Sequence, residues 1–96
     1  MRKRQMMKRN KVTAWSDGFG NWYARVDLAI ATPSDTLNID NVRRVARGAI
    51  RREVQARQTV GDGYRFTIGI DKVDLGADNR IYSVTFKERF SNGLLR

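Results

Sequence analysis

Apolar and polar positions alternate on both sides of a glycine-containing reversal near the start of the chain. Val12 and Ala14 precede the segment Asp17-Gly18-Phe19-Gly20-Asn21, and Trp22, Ala24, Val26, Leu28 and Ile30 follow it. Alternation of period two marks strands with one buried face, and Gly18 and Gly20 supply the positive φ that a tight turn needs, so residues 11–30 predict a β-hairpin. The Asp-Gly-Phe-Gly run superficially suggests a glycine-rich phosphate loop, but no helix start follows it, and turn chemistry accounts for it. Residues 32–36, around Pro33, read as a connection.

The spacing then becomes helical. Asn38 predicts the N-cap, Leu37 and Val42 a hydrophobic staple across it, and Asp40 falls in the first turn, where the helix dipole favours an anion. A helix is expected over Ile39–Arg57. On a 3.6-residue wheel Val42, Val45, Ala46, Ala49, Ile50 and Ala56 share one side, Arg44, Arg47 and Arg51 lie near the centre of the other, and Arg43 and Arg52 flank the boundary. Gly48 costs such a helix about 1 kcal/mol relative to Ala, which predicts close approach of another backbone or a weak point. Glu53 is spaced to pair with Arg57.

After Gly61-Asp62-Gly63 the alternation resumes with Tyr64, Phe66, Ile68 and Ile70, passes a polar turn over 71–79, and continues with Tyr82, Val84 and Phe86. The predicted fold is α+β in the order β-β-α-β-β: a four-stranded antiparallel sheet with one helix packed on one face, so that each element buries its apolar side. Residues 1–10 are expected to form a flexible basic tail, 11–90 a single domain and 91–96 a frayed end. Met7 is an alternative start, which would make residues 1–6 dispensable.

Composition narrows the chemistry. The chain has 96 residues, no Cys and no His. Thiol nucleophiles, imidazole bases, catalytic triads, disulfide frameworks and the usual zinc sites are therefore excluded, and a non-enzymatic protein without cofactor or metal is expected. A chain of this size removes roughly 60–65% of its unfolded surface from water, enough for one domain with little stability in reserve. Uncharged runs such as residues 28–34 are far too short to span a bilayer, and no apolar signal core follows the basic start, so a soluble cytoplasmic protein is expected.

Charge sharpens the picture. The net charge is +9, and residues 1–11 carry +6, residues 38–57 carry +4, and the rest of the chain carries −1. Clustering of like charge penalises a compact state unless something negative docks there, so a polyanion is the natural complement. Arg44, Arg47 and Arg51 recur at i, i+3 and i+7 and form a stripe some 10 Å long at 1.5 Å rise per residue. Phosphate contacts are expected from Arg43, Arg44, Arg47, Arg51 and Arg52, with Arg2, Lys3, Arg4, Lys8 and Arg9 of the tail adding affinity. Only Gln55 and Gln58 accompany these arginines as base-reading side chains, so binding independent of sequence is expected.

The alternation places a second constellation on the sheet face away from the helix. With Val12, Trp22, Ala24, Val26, Phe66, Ile68, Val84 and Phe86 facing the core, Trp15, Tyr23, Arg25, Arg65 and Ile81 fall on the opposite side. Aromatics interleaved with arginine suit stacking on single-stranded nucleic acid, and an uncovered face with large side chains suits a homodimer or partner protein, which is the reading favoured here. A register slip of one residue would reverse these assignments. Asp71, Asp74, Asp78 and Asn79 lack the spacing of a calcium loop and read as a solvated turn.

The run Asn38-Ile39-Asp40-Asn41-Val42 is similar to the acidic stretch of small dimeric phage Holliday-junction resolvases, whose carboxylates bind Mg²⁺. Here the first acid is replaced by Asn38, and Gly48 stands where that pattern has another carboxylate, so one Asp is left and a metal-dependent nuclease is set aside. Over residues 7–90 the chain resembles short open reading frames of actinobacterial phages. The features that carry this are Ser16-Asp17-Gly18-Phe19-Gly20-Asn21-Trp22, Ala24-Arg25-Val26 and Ala49-Ile50-Arg51-Arg52-Glu53. The resemblance implies a phage origin and expression in a bacterial host cytoplasm, and it supplies no functional residues. Two functions are thus expected in order: a small DNA- or RNA-binding protein that contacts phosphates non-specifically, then an accessory protein that binds and modulates a host protein.

Overall fold

The computed structural model describes residues 9–57 and 65–91, the side chains of 90 and 91 excepted. Its elements are β1 (Lys11–Ser16), β2 (Trp22–Pro33), α1 (Ile39–Arg57), β3 (Phe66–Leu75) and β4 (Arg80–Ser91). The strands form one antiparallel sheet in the order β1-β2-β4-β3, which is the predicted α+β architecture with β4 inserted between β2 and β3. Among the described residues no helix is long and apolar enough to cross a membrane.

Local chemistry sets the first hairpin. Asp17 Oδ1 accepts from the Phe19 amide at 2.8 Å and the Asn21 amide at 3.2 Å, while Gly18 and Gly20 sit at φ 86° and 92°. A side chain with Cβ would be strained at either glycine. The reversal aligns Val12 with Val26 and Ala14 with Ala24 on one face, and Trp15 with Tyr23 on the other. The helix starts as expected: the Asn38 Oδ1 accepts from the Asn41 amide at 3.2 Å, and Leu37 packs against the core from the preceding position.

The core joins Trp22, Ala24 and Val26 of β2, Phe66 and Ile68 of β3, and Val84 and Phe86 of β4 to Val42, Ala46, Ile50 and Val54 of α1. The helix lies chiefly over β1 and β2 and only touches β3 and β4. This seat rotates its buried face away from the expected one: Val54 is fully buried, Val45 is 37% exposed, and Ala56 is exposed. Nor does another backbone approach Gly48. A Cβ there would meet only the Arg52 Nη1, at an ordinary 3.7 Å.

The second hairpin departs most from expectation. Residues 71–75 extend β3 rather than forming a turn, and the reversal is confined to Gly76–Asn79, with Asn79 at φ 63°. Pairing steps from Asp74 opposite Ser83 to Leu75 opposite Ile81, so Tyr82 is an extra residue on β4. Such a bulge inverts the alternation on its far side. Ile81, placed by strict alternation on the open face, therefore belongs to the core at 7% exposure, and Tyr82 is exposed. Tyr64 lies outside the described residues.

Replacing Gly48 by Ala should raise stability by about 0.5–1 kcal/mol, since the helix gains and nothing is displaced. Ile50→Ala should cost about 2–5 kcal/mol through loss of buried volume between helix and sheet. Urea unfolding followed by circular dichroism checks both signs.

Candidate nucleic-acid interface

Because α1 sits over β1 and β2, one of its flanks overhangs the β3–β4 half of the sheet. The arginines on that flank are guided by aromatic rings beneath them. The Arg43 guanidinium lies 5.9 Å from the Phe86 centroid and that of Arg51 5.2 Å from the Phe66 centroid. Arg51 is consequently half-buried rather than at the centre of the solvent face. A guanidinium over a ring keeps its charge while losing some of its freedom, which fixes where its donors point.

Two adjoining hollows result. One, of about 320 Å³, is lined by Arg47, Arg51, Arg65, Phe66 and Thr67. The other, of about 180 Å³, is lined by Asp40, Arg43, Arg44 and Arg47, so Arg47 borders both. Arg65, expected on the opposite sheet face, thus joins the helix arginines at the mouth of β3. In the larger hollow no carboxylate stands among the described lining residues. Arg44, Arg47, Arg51 and Arg65 make no ion pair among the described residues, whereas Arg43 is paired with the exposed Asp40 at 3.0 Å and Arg57 with Glu53 at 2.9 Å. Guanidiniums stay ionised at any physiological pH, so the arginines of the larger hollow repel one another until an anion enters. Their forked donors and the Thr67 hydroxyl match the oxygens of a phosphate.

Not every predicted residue joins this site. Arg52 follows Arg47 by five positions, about 140° around the helix at 100° per residue, and its side chain lies back over Gly48 on the other flank. Arg9 is exposed. Its neighbour Asn10 accepts from the Ala29 amide at 2.9 Å and shares a hollow with Asn38 and Asn41, beside the first turn of α1. Arg2, Lys3, Arg4 and Lys8 lie outside the described residues.

On the opposite sheet face Trp15, Tyr23 and Arg25 do come together. The Trp15 and Tyr23 rings stack at 5.5 Å with 8° between planes, and Arg25 pairs with Asp27 at 2.9 Å. Sequence reading missed Lys87, whose Nζ lies 5.7 Å from the Tyr23 centroid. The signal was present, since a core-facing Phe86 turns its neighbour outward.

The acidic turn holds itself together. Among the described residues no group of three or more His, Cys, Asp or Glu is arranged to hold a metal. Asp78 accepts from the Tyr82 hydroxyl at 2.7 Å and the Arg80 amide at 3.1 Å. The hydroxyl contact, then the amide, hold its carboxyl below the ordinary carboxylate range, and the same contact raises the Tyr82 phenol. Asp17 is held low by the Phe19 amide first and the Asn21 side chain second. Comparison with protein-family models, curated proteins and solved structures finds no match to this chain.

Both carboxyls are more acidic folded than unfolded, so their stabilising contribution is present above the unfolded value and lost as pH falls through the folded one. Carbon-13 NMR titration of the carboxyl groups should show Asp17 and Asp78 titrating below the ordinary aspartate range. Thermal stability should be flat near neutrality and decline in acid, modestly because both groups stand in solvent, while the raised Tyr82 phenol gives up its own contribution only in strong alkali.

Proposed function

We propose that this protein is a small non-enzymatic nucleic-acid-binding protein that contacts phosphates, largely irrespective of sequence, through the overhanging flank of α1. The observation that carries the reading is the convergence of Arg47, Arg51 and Arg65 with Thr67 on one hollow without a carboxylate among the described lining residues. Arg43 and Arg44 continue the line along the helix. The driving force is counterion release from the polyanion, and specificity for particular bases is not expected from guanidiniums that face a backbone.

A second reading, an accessory protein that binds and modulates a host protein, draws on Ile70 and Val73. These lie on the helix side of β3, where α1 does not cover them, and each is 40% exposed. Capture of a protein that persists after nuclease treatment would favour it over the first.

Affinity for duplex DNA of unrelated sequence should fall steeply with salt. The triple variant Arg47→Ala, Arg51→Ala, Arg65→Ala should flatten the dependence of log K on log salt by about 2–3, at roughly 0.9 per lost phosphate contact. Fluorescence anisotropy at several salt concentrations measures it. An unchanged slope in a folded triple variant would remove the hollow from the binding surface.

A further inference from the structure

We infer that the sheet face opposite α1 is a separate site for single-stranded nucleic acid, with a nucleobase seated on the outer side of the Trp15 ring. The pairing registers place two rows on that face: Trp15, Tyr23, Lys87 and Gly69 in one, and Thr13, Arg25, Thr85 and Lys72 in the other. Both rows are aromatic, cationic or small and polar. Ile81, which would have made the face suit an apolar partner, is in the core, and Ile70 and Val73 share the helix side with their partners Phe86 and Val84.

The first row is an ordered column. Lys87 closes the inner side of Tyr23, Tyr23 covers one side of Trp15, and the near-parallel rings leave the other side of Trp15 as a flat platform. Trp15 is 39% exposed. Base faces stack on such a platform regardless of sequence, which a duplex, with its bases already stacked, does not permit.

Phosphates have partners beside it. A Cβ on Gly69 would come within 2.8 Å of the Arg89 Nε, so the bare glycine lets the Arg89 side chain lie flat across the sheet. There its guanidinium donates to the Ile70 carbonyl at 2.9 Å and remains exposed. The two rows hold Arg25, Lys72 and Lys87 and no carboxylate; the nearest acids are Asp27 and Asp74 in the next row, Asp71 at the bulge beside Lys72 and Asp17 near Lys87, and Asp27 is already paired with Arg25. Complementarity to a polyanion therefore favours a nucleic-acid strand over an acidic or apolar protein surface.

Tryptophan emission tests this directly, because Trp22 is buried and Trp15 is not. Titration of the full chain with a short oligothymidylate should quench Trp15 saturably, and a duplex of equal charge should not. Because either substitution at Trp15 removes the responding ring, affinity in the variants is read by anisotropy of a labelled oligothymidylate: Trp15→Ala should weaken binding roughly tenfold, with Trp15→Phe intermediate in affinity and circular dichroism unchanged in both. The helix triple variant should keep the quench, which separates failure of this site from failure of the helix site. Wild-type affinity in folded Trp15→Ala, absence of any quench in the unaltered protein, or equal quenching by duplex would each overturn the inference.

Discussion

The seat of α1 across β1 and β2 is the contact on which the remaining features depend. Small residues allow it: Ala24 on the sheet and Ala46 on the helix are fully buried, and Ala49 nearly so, which brings the backbones close while Val26, Ile50 and Val54 fill the space around them. Burial of side chains of this size supplies about 1.5–3 kcal/mol each for the larger ones, the dominant favourable contribution in so small a domain. One helix cannot cover four strands. Placing it at one side leaves β3 exposed over residues 70–75 and opens the angle between helix and sheet in which Arg43, Arg47 and Arg51 lie.

That geometry changes what the arginines can do. On a helix lying centrally over the sheet, the same spacing would give a solvated stripe with freely moving side chains. Here Phe66 and Phe86 project from the sheet beneath the overhanging flank and hold two of the guanidiniums by their ring faces. Core aromatics thus serve as the supports of a cationic surface, and Arg65 at the mouth of β3 completes it from the sheet side. The proposed phosphate binding follows from this arrangement of fixed charges rather than from the net charge alone.

The order of elements, the helix limits, its N-cap and the first turn were legible because each rests on local chemistry: alternation, an Asn before an apolar run, glycines at positive φ. The errors have one physical origin, the non-local step of docking. A bulge at Tyr82 moved Ile81 from surface to core, and nothing in residues 80–84 announces it, since Ile81 and Tyr82 suit either face. The sideways seat of the helix exchanged Val54 for Val45 and Ala56, a rotation that depends on which strands it meets. For the candidate site, Arg43, Arg44, Arg47 and Arg51 were legible from helical spacing, but Arg65 was not, because its approach requires β3 to begin beside the helix. Arg89 was equally hidden, lying at a second bulge of β4 where pairing steps from Phe90 to Glu88.

Charge on both sides of a thin domain gives the account its functional shape: a helix flank with phosphate-matching forks, and a sheet face with an aromatic column. The most direct test of the first, on which the central reading stands, is NMR observation of the arginine Nε–H signals during titration with inorganic phosphate and then a short DNA duplex. Arg47, Arg51 and Arg65 should shift together and saturate with one constant, while Arg52 stays still. Shifts confined to other arginines, or spread evenly over all of them, would contradict that reading.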